Sequence, residues 1–171
     1  MTQDRWTLAR EAGLLPSMDG PVLAMLARGD ADLSNLVAGA EVMAVQGFRP
    51  DYDRLAARGL DVQTQPEGLY GGALVQIVKS KPRTLSAIAE ALSHLRPGGV
   101  LLVDGAKDEG IDSAAKALKK ALGAVESFAK SHGKLLWVER PNEIPDALLD
   151  WIATPQEVEG GYLTAPGGFS A

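Results

Sequence analysis

Short apolar runs alternate with stretches of helical periodicity along this chain, and their order predicts a sheet layered with helices. Trp6, Leu8, Ala9 and Ala12 space one face of a short helix over residues 4–12, with Asp4 placed to cap it and Gly13 to close it. Residues 22–26 (V-L-A-M-L) and 42–45 (V-M-A-V) read as buried strands, separated by a polar turn from Arg28 and a brief helix capped by Ser34. Residues 50–58 carry Pro50 in the first turn, Asp51 and Asp53 near the positive end, Arg58 near the negative end and Gly59 beyond, which together predict a helix. Strands are expected over 60–62 and 74–78, then a helix over 80–95 with Leu85, Ile88, Ala89, Leu92 and Leu95 on one face.

The centre of the pattern is the stretch 95–112. Arg96-Pro97-Gly98-Gly99 predicts a tight turn, and residues 100–103 (V-L-L-V) form an apolar run suited to a strand covered on both faces. A second glycine-rich turn, 105–110, leads to Asp112, placed to cap a helix over 113–122 whose lysines 116, 119 and 120 face outward. Residues 125–128 and 135–138 flank Ser131-His132-Gly133 too closely for a crossover, so an antiparallel hairpin is expected. Ile144, Leu148, Trp151 and Ile152 have helical spacing, and glycine and proline dominate after Thr154. The predicted class is α/β: a mostly parallel sheet with a C-terminal antiparallel hairpin and helices on both faces.

Composition adds limits. At 171 residues and 46 % hydrophobic, the chain suffices for one well-filled core. A net charge of −5 argues against a dedicated nucleic-acid binder, though not against a local basic patch. The absence of cysteine removes disulfides, Cys-based zinc sites and a Cys nucleophile. No apolar stretch is long enough for a membrane span, and the N-terminus lacks signal-peptide order, so a cytoplasmic protein with no membrane partner is expected.

Candidate chemistry is sparse. The loop 104–110 stands between a strand and a helix, where open α/β sheets bind ligands; Asp104, Gly105, Lys107 and Gly110 are its candidate cofactor contacts, although its spacing matches neither dinucleotide nor phosphate-loop patterns. Lys79, Lys81 and Arg83 lie at a helix start, where cations oppose the helix dipole, and are candidate RNA contacts together with His132 and Lys134. The residues after the first strand, Leu26-Ala27-Arg28-Gly29-Asp30, offer one glycine and an arginine where a bound nucleotide wants consecutive small residues. The second strand ends in Val45-Gln46, without the Asp or Glu that would hold ribose hydroxyls. His94 and His132 are isolated from any triad or metal constellation, and no catalytic or metal-binding residue is expected.

The segments Q-G-F-R-P-D-Y-D-R-L-A-A-R-G (46–59), G-V-L-L-V-D-G-A-K-D-E-G-I-D-S (99–113) and S-H-G-K-L-L-W (131–137) resemble the N-terminal domain of two-domain small-subunit ribosomal RNA guanine-N2 methyltransferases of the methyltransferase-small type. The tail Y-L-T-A-P-G-G-F-S-A (162–171) resembles the segment leading into that family's catalytic domain. The resemblance implies a Rossmann-like methyltransferase sheet over residues 1–153, degenerate and inactive alone, with 154–171 as a linker toward a C-terminal catalytic domain. That domain would hold S-adenosylmethionine, and none is implied for this chain. The family's N-P-P-[FY] motif falls where this chain reads Lys79-Ser80-Lys81-Pro82, and a lysine ammonium accepts no hydrogen bond from a target amine. The implied partners are the catalytic domain and small-subunit ribosomal RNA. A stand-alone scaffold or oligomerisation module and a small cofactor-binding protein using the 104–110 loop are the alternatives.

Overall fold

Five strands run parallel in a computed structural model that describes residues 4–18, 20–31, 33 and 41–152: β1 (Val22–Met25), β2 (Val42–Val45), β3 (Asp61–Gln63), β4 (Tyr70–Gln76) and β5 (Leu95–Ala106). The hairpin β6 (Glu126–Lys130) and β7 (Gly133–Glu139) joins β5 antiparallel, giving the order β3-β2-β1-β4-β5-β7-β6. The helices are α1 (Arg5–Glu11), α2 (Arg49–Ala57), α3 (Lys81–Ser93), α4 (Ile111–Leu122) and the short α5 (Asp146–Leu149). The expected class is therefore present, hairpin included.

The unbroken apolar run in β5 has a direct cause. Leu101 and Val103 enter one core cluster with Ile88 and Leu92 of α3 and Ile111 and Leu118 of α4. Val100 and Leu102 enter the other, with Trp6 and Ala9 of α1 and Leu55 of α2. Successive side chains of a strand point to opposite faces, so a strand between two helix layers must be apolar at every position. Each fully buried leucine here contributes ~1.5–3 kcal/mol of hydrophobic stabilisation.

Several boundaries differ from expectation. β4 begins at Tyr70 rather than Leu74, because Gly71 and Gly72 are strand residues. A Cβ on Gly72 would stand 2.8 Å from the Met18 sulfur and 3.3 Å from its Cβ, so the glycine lets Met18 pack close over the strand. β5 extends on both sides of residues 100–103; Leu95 pairs with Tyr70 and Val100 with Gly72, so the Arg96-Pro97-Gly98-Gly99 turn bulges out within the strand. Gly98 takes a positive φ there.

The capping expectations also change. Asp4 occupies the N-cap position of α1 without a side-chain capping bond. Asp112 does not cap α4: Gly110, with φ of 98°, is the N-cap, and Asp112 lies in the first turn facing Lys134. Ser80 does cap α3, accepting from the Arg83 N–H. The helix capped by Ser34 and the linker 154–171 lie outside the described residues.

Carboxyl edge of the sheet

The strand order reverses direction at β1, whose neighbours are β2 on one side and β4 on the other. In open α/β sheets ligands enter the crevice beyond the carboxyl ends of the strands at this point. Here the chain's own polar groups cross that crevice. The Arg28 N–H donates to Gln76 Oε1 at 2.8 Å, joining the ends of β1 and β4. The Arg28 guanidinium reaches the Ile77 carbonyl at 3.0 Å and pairs with Glu109 beyond β5. Gln46 ends β2 with both sides of its amide engaged: Nε2 donates to the Ala27 carbonyl at 2.6 Å and Oε1 accepts from the Phe48 N–H at 2.8 Å.

The loop after β1 is tied down as well. The Gly29 N–H donates to Asp51 Oδ1, and Arg58 donates to the carbonyls of Gly29 and Ala31, both at 2.7 Å. A Cβ on Gly29 would lie 2.7 Å from the Arg54 Cβ. The glycine thus admits α2 rather than a ligand.

At the end of β5, Asp104 is 6 % exposed in its side chain and meets the Arg5 fork, Nε to Oδ1 at 2.6 Å and Nη2 to Oδ2 at 3.3 Å. Arg5 Nη1 also donates to the carbonyls of Lys130 and Ser131, so one α1 side chain binds β5 to the hairpin turn. Burial pushes the Asp104 carboxyl above the usual carboxylate range, and Arg5 and Arg28 offset only part of this.

Each sequence-selected residue now has a place. Asp104 is locked by Arg5. Gly105 is needed for packing, since a Cβ there would stand 2.3 Å from the Ile77 side chain, and Gly110 supplies the left-handed backbone that starts α4. Lys107 is exposed, and its N–H donates to the His132 carbonyl at 2.9 Å. His132 sits with Ser131 in the two-residue hairpin turn, both at positive φ as the tightest hairpin turns require. Lys134 pairs with Asp112 at 2.7 Å, and that contact holds the exposed Asp112 carboxyl below its usual range. Lys79 and Lys81 are exposed and Arg83 half-buried. The selected residues therefore share one edge, but Asp104 and Lys134 are engaged internally. His94 is half-buried, with Nδ1 2.7 Å from the Gly68 carbonyl.

Sequence reasoning noted Arg28 and Gln46 as misfits for a nucleotide site but missed Arg5, Gln76 and Glu109. Polar residues that end apolar runs, as Gln46 and Gln76 do, were the available signal. Nothing local marks Arg5, which meets its partner 99 positions away.

The groups present do not fit S-adenosylmethionine. The crevice at the switch point is bridged by Arg28, the loop after β1 is packed on α2, and the Gln46 amide after β2 is engaged on both sides. Among the described residues, no three His, Asp or Glu side chains are grouped to hold a metal ion, and no helix is long and apolar enough to cross a membrane. Replacing Arg28 by Ala should lower stability by about 1 kcal/mol, because a part-exposed ion pair and one carbonyl bond disappear. Urea denaturation of the variant checks this.

Solved structures share this architecture. The 16S rRNA N2 G1207 methyltransferase of T. Thermophilus, solved with AdoMet and guanosine, aligns over 77 % of this chain with a TM-score of 0.65 and 20 % identity. The chain spans 38 % of that protein's length. A putative methyltransferase from Pseudomonas syringae aligns with a TM-score of 0.56 at 19 % identity, over 80 % of this chain and 97 % of the other. An rRNA methylase from Streptococcus thermophilus gives 0.55 at 17 % identity, over 72 % and 89 %. These likenesses establish a methyltransferase-type fold. No curated protein matches the sequence. Residues 44–154 match the family described as methyltransferase small domain N-terminal, and the chain belongs to that family.

Proposed function

We propose that this chain is the non-catalytic N-terminal domain of a cytoplasmic, S-adenosylmethionine-dependent methyltransferase of small-subunit ribosomal RNA. In this reading it supports a C-terminal catalytic domain, reached through the 154–171 linker, and helps dock the RNA. The observation that carries the non-catalytic part is the bridged crevice, where Arg28 ties β1 to the Ile77 carbonyl and to Glu109. The family match and the fold shared with a ribosomal RNA methyltransferase about twice as long support the two-domain part. The structural demands on Gly105 and Gly110 weigh against a cofactor loop at 104–110, since both glycines have a reason to be there without a ligand.

Calorimetric titration of the 171-residue chain with S-adenosylmethionine tests the reading. The expected result is no saturable heat. Binding in the micromolar range, abolished by a bulky substitution at Gly29, would overturn it.

A further inference from the structure

We propose that the free edge of β6 is a self-association surface, on which a second copy of this chain adds its own β6 antiparallel and joins the two sheets into one. β6 is the last strand in the order β3-β2-β1-β4-β5-β7-β6, so only one of its edges is paired. The direction of its backbone groups follows from the neighbouring ladder. The Arg140 N–H donates to the Gly99 carbonyl and the Lys107 N–H to the His132 carbonyl, so the even-numbered residues of β7 turn their backbone groups toward β5. Gly133, Leu135 and Trp137 therefore bond to Lys130, Phe128 and Glu126. That leaves the N–H and C=O groups of Ser127 and Ala129, both exposed residues, directed away from the sheet.

An open edge is a template for pairing unless the chain blunts it with a short strand, a proline, a bulge or a repelling charge. The opposite edge of this sheet is blunted: β3 has three residues and begins with Asp61. β6 has five, Glu126-Ser127-Phe128-Ala129-Lys130, without proline, and its register with β7 is unbroken. Glu126 and Lys130 are both exposed, and neither has an ion pair among the described residues.

The strand itself selects the occupant, its direction and its register. In an antiparallel pair centred on Phe128, Glu126 faces Lys130 of the second copy and Lys130 faces its Glu126, so opposite charges meet at both ends. Ser127 then faces Ala129 of the copy. These are the residues with outward backbone groups, so each such pair exchanges both hydrogen bonds. Phe128, half-buried against the core cluster that holds Trp6, meets its counterpart on the two-fold axis, at a position where side chains across the ladder stand closest. A parallel copy in register sets Glu126 beside Glu126 and Lys130 beside Lys130. Sliding the antiparallel register by two residues leaves those charges without partners. The strand is thus complementary to itself, which is what an isologous two-fold contact requires. Two strands of this length form a small contact, so the association is weak and depends on concentration.

Sedimentation velocity of the 171-residue chain tests this over roughly 5 µM to 1 mM, the range in which a small interface associates. A monomer–dimer equilibrium is expected. Glu126→Lys and Lys130→Glu each put like charges at both ends of the pairing and should each weaken the dimer by about tenfold. The double variant restores opposite charges and should return to within about twofold of the wild-type constant. Mixing the two single variants should give a heterodimer, since each then meets its opposite. The single variants move net charge in opposite directions, so a general charge effect would weaken one and strengthen the other. Ala129→Pro removes an outward N–H without touching the β7 ladder and should abolish the dimer. Circular dichroism verifies that each variant folds, and the charge variants carry the test if the proline variant does not. A wild-type chain that stays monomeric throughout overturns the proposal. A dimer indifferent to the charge variants overturns it too, because its contact then lies elsewhere.

Discussion

Arg5→Ala should destabilise the fold by about 3 kcal/mol, since removing one member of a buried, hydrogen-bonded ion pair strands the other in low dielectric. The side chains are 12 % and 6 % exposed, and Arg5 also serves two hairpin carbonyls, so the damage reaches β5, β6 and β7 together. The effect falls at the lower end for such pairs because Arg28 still interacts with Asp104. The pH dependence has a definite sign. Asp104 is already held above the usual carboxylate range by burial, and without Arg5 its folded-state value rises further. The folded variant then binds a proton that the unfolded chain releases, so the deficit is full above the raised folded value. It shrinks as pH falls toward the unfolded value, about 3.9 for an aspartate. Urea denaturation of wild type and variant at neutral and at mildly acidic pH measures this, and a deficit unchanged by pH would mean Asp104 is not its source. Arg5→Lys should recover only part of the stability, because an ammonium cannot reproduce the two-point fork.

The second large effect is expected at Gly133→Ala, ~2–3 kcal/mol by overpacking. A Cβ there would stand 2.4 Å from the Gly105 carbonyl oxygen and 2.6 Å from Arg5 Nη1. Neither neighbour yields easily: the carbonyl belongs to the β5 backbone and the arginine is fixed by Asp104. Gly133 does not have a positive φ, so the penalty is one of space alone. Gly47→Ala is the matched control. Its Cβ meets nothing within 4 Å and its φ is also not positive, so it should be neutral or stabilising by ~0.4–1 kcal/mol through the unfolded chain. Thermal unfolding of the pair separates a steric penalty at Gly133 from a general intolerance of glycine replacement.

The fold was legible where one physical demand governs many consecutive residues. The apolar run at 100–103 announced a strand between two layers, and the close flanks of Ser131-His132-Gly133 announced a hairpin. Misreadings arose where a glycine serves close packing or a left-handed turn. The strand expected over 74–78 starts at Tyr70 because Gly71 and Gly72 belong to it, and Gly110 was overlooked as a cap in favour of Asp112. The site was less legible because its ties are distant in sequence. Arg28 meets Glu109 across 81 positions and Gln76 across 48, and no local pattern records such pairs. What the sequence did record was the misfit: an arginine and a glutamine at strand ends where nucleotide sites carry glycines and an acid.

The bridged crevice also determines where this domain can move. Sheets that admit ligands keep the loops at their carboxyl edge loosely held, since binding segments are drawn from the least protected parts of a fold. Here the amides of Arg28, Gly29, Phe48, Ile77, Ala106 and Lys107 all donate to acceptors of the chain itself. The edge that opens and closes around a substrate in an active sheet is in this protein a clamped rim. Its shape is set by the chain's own hydrogen bonds rather than by a bound ligand.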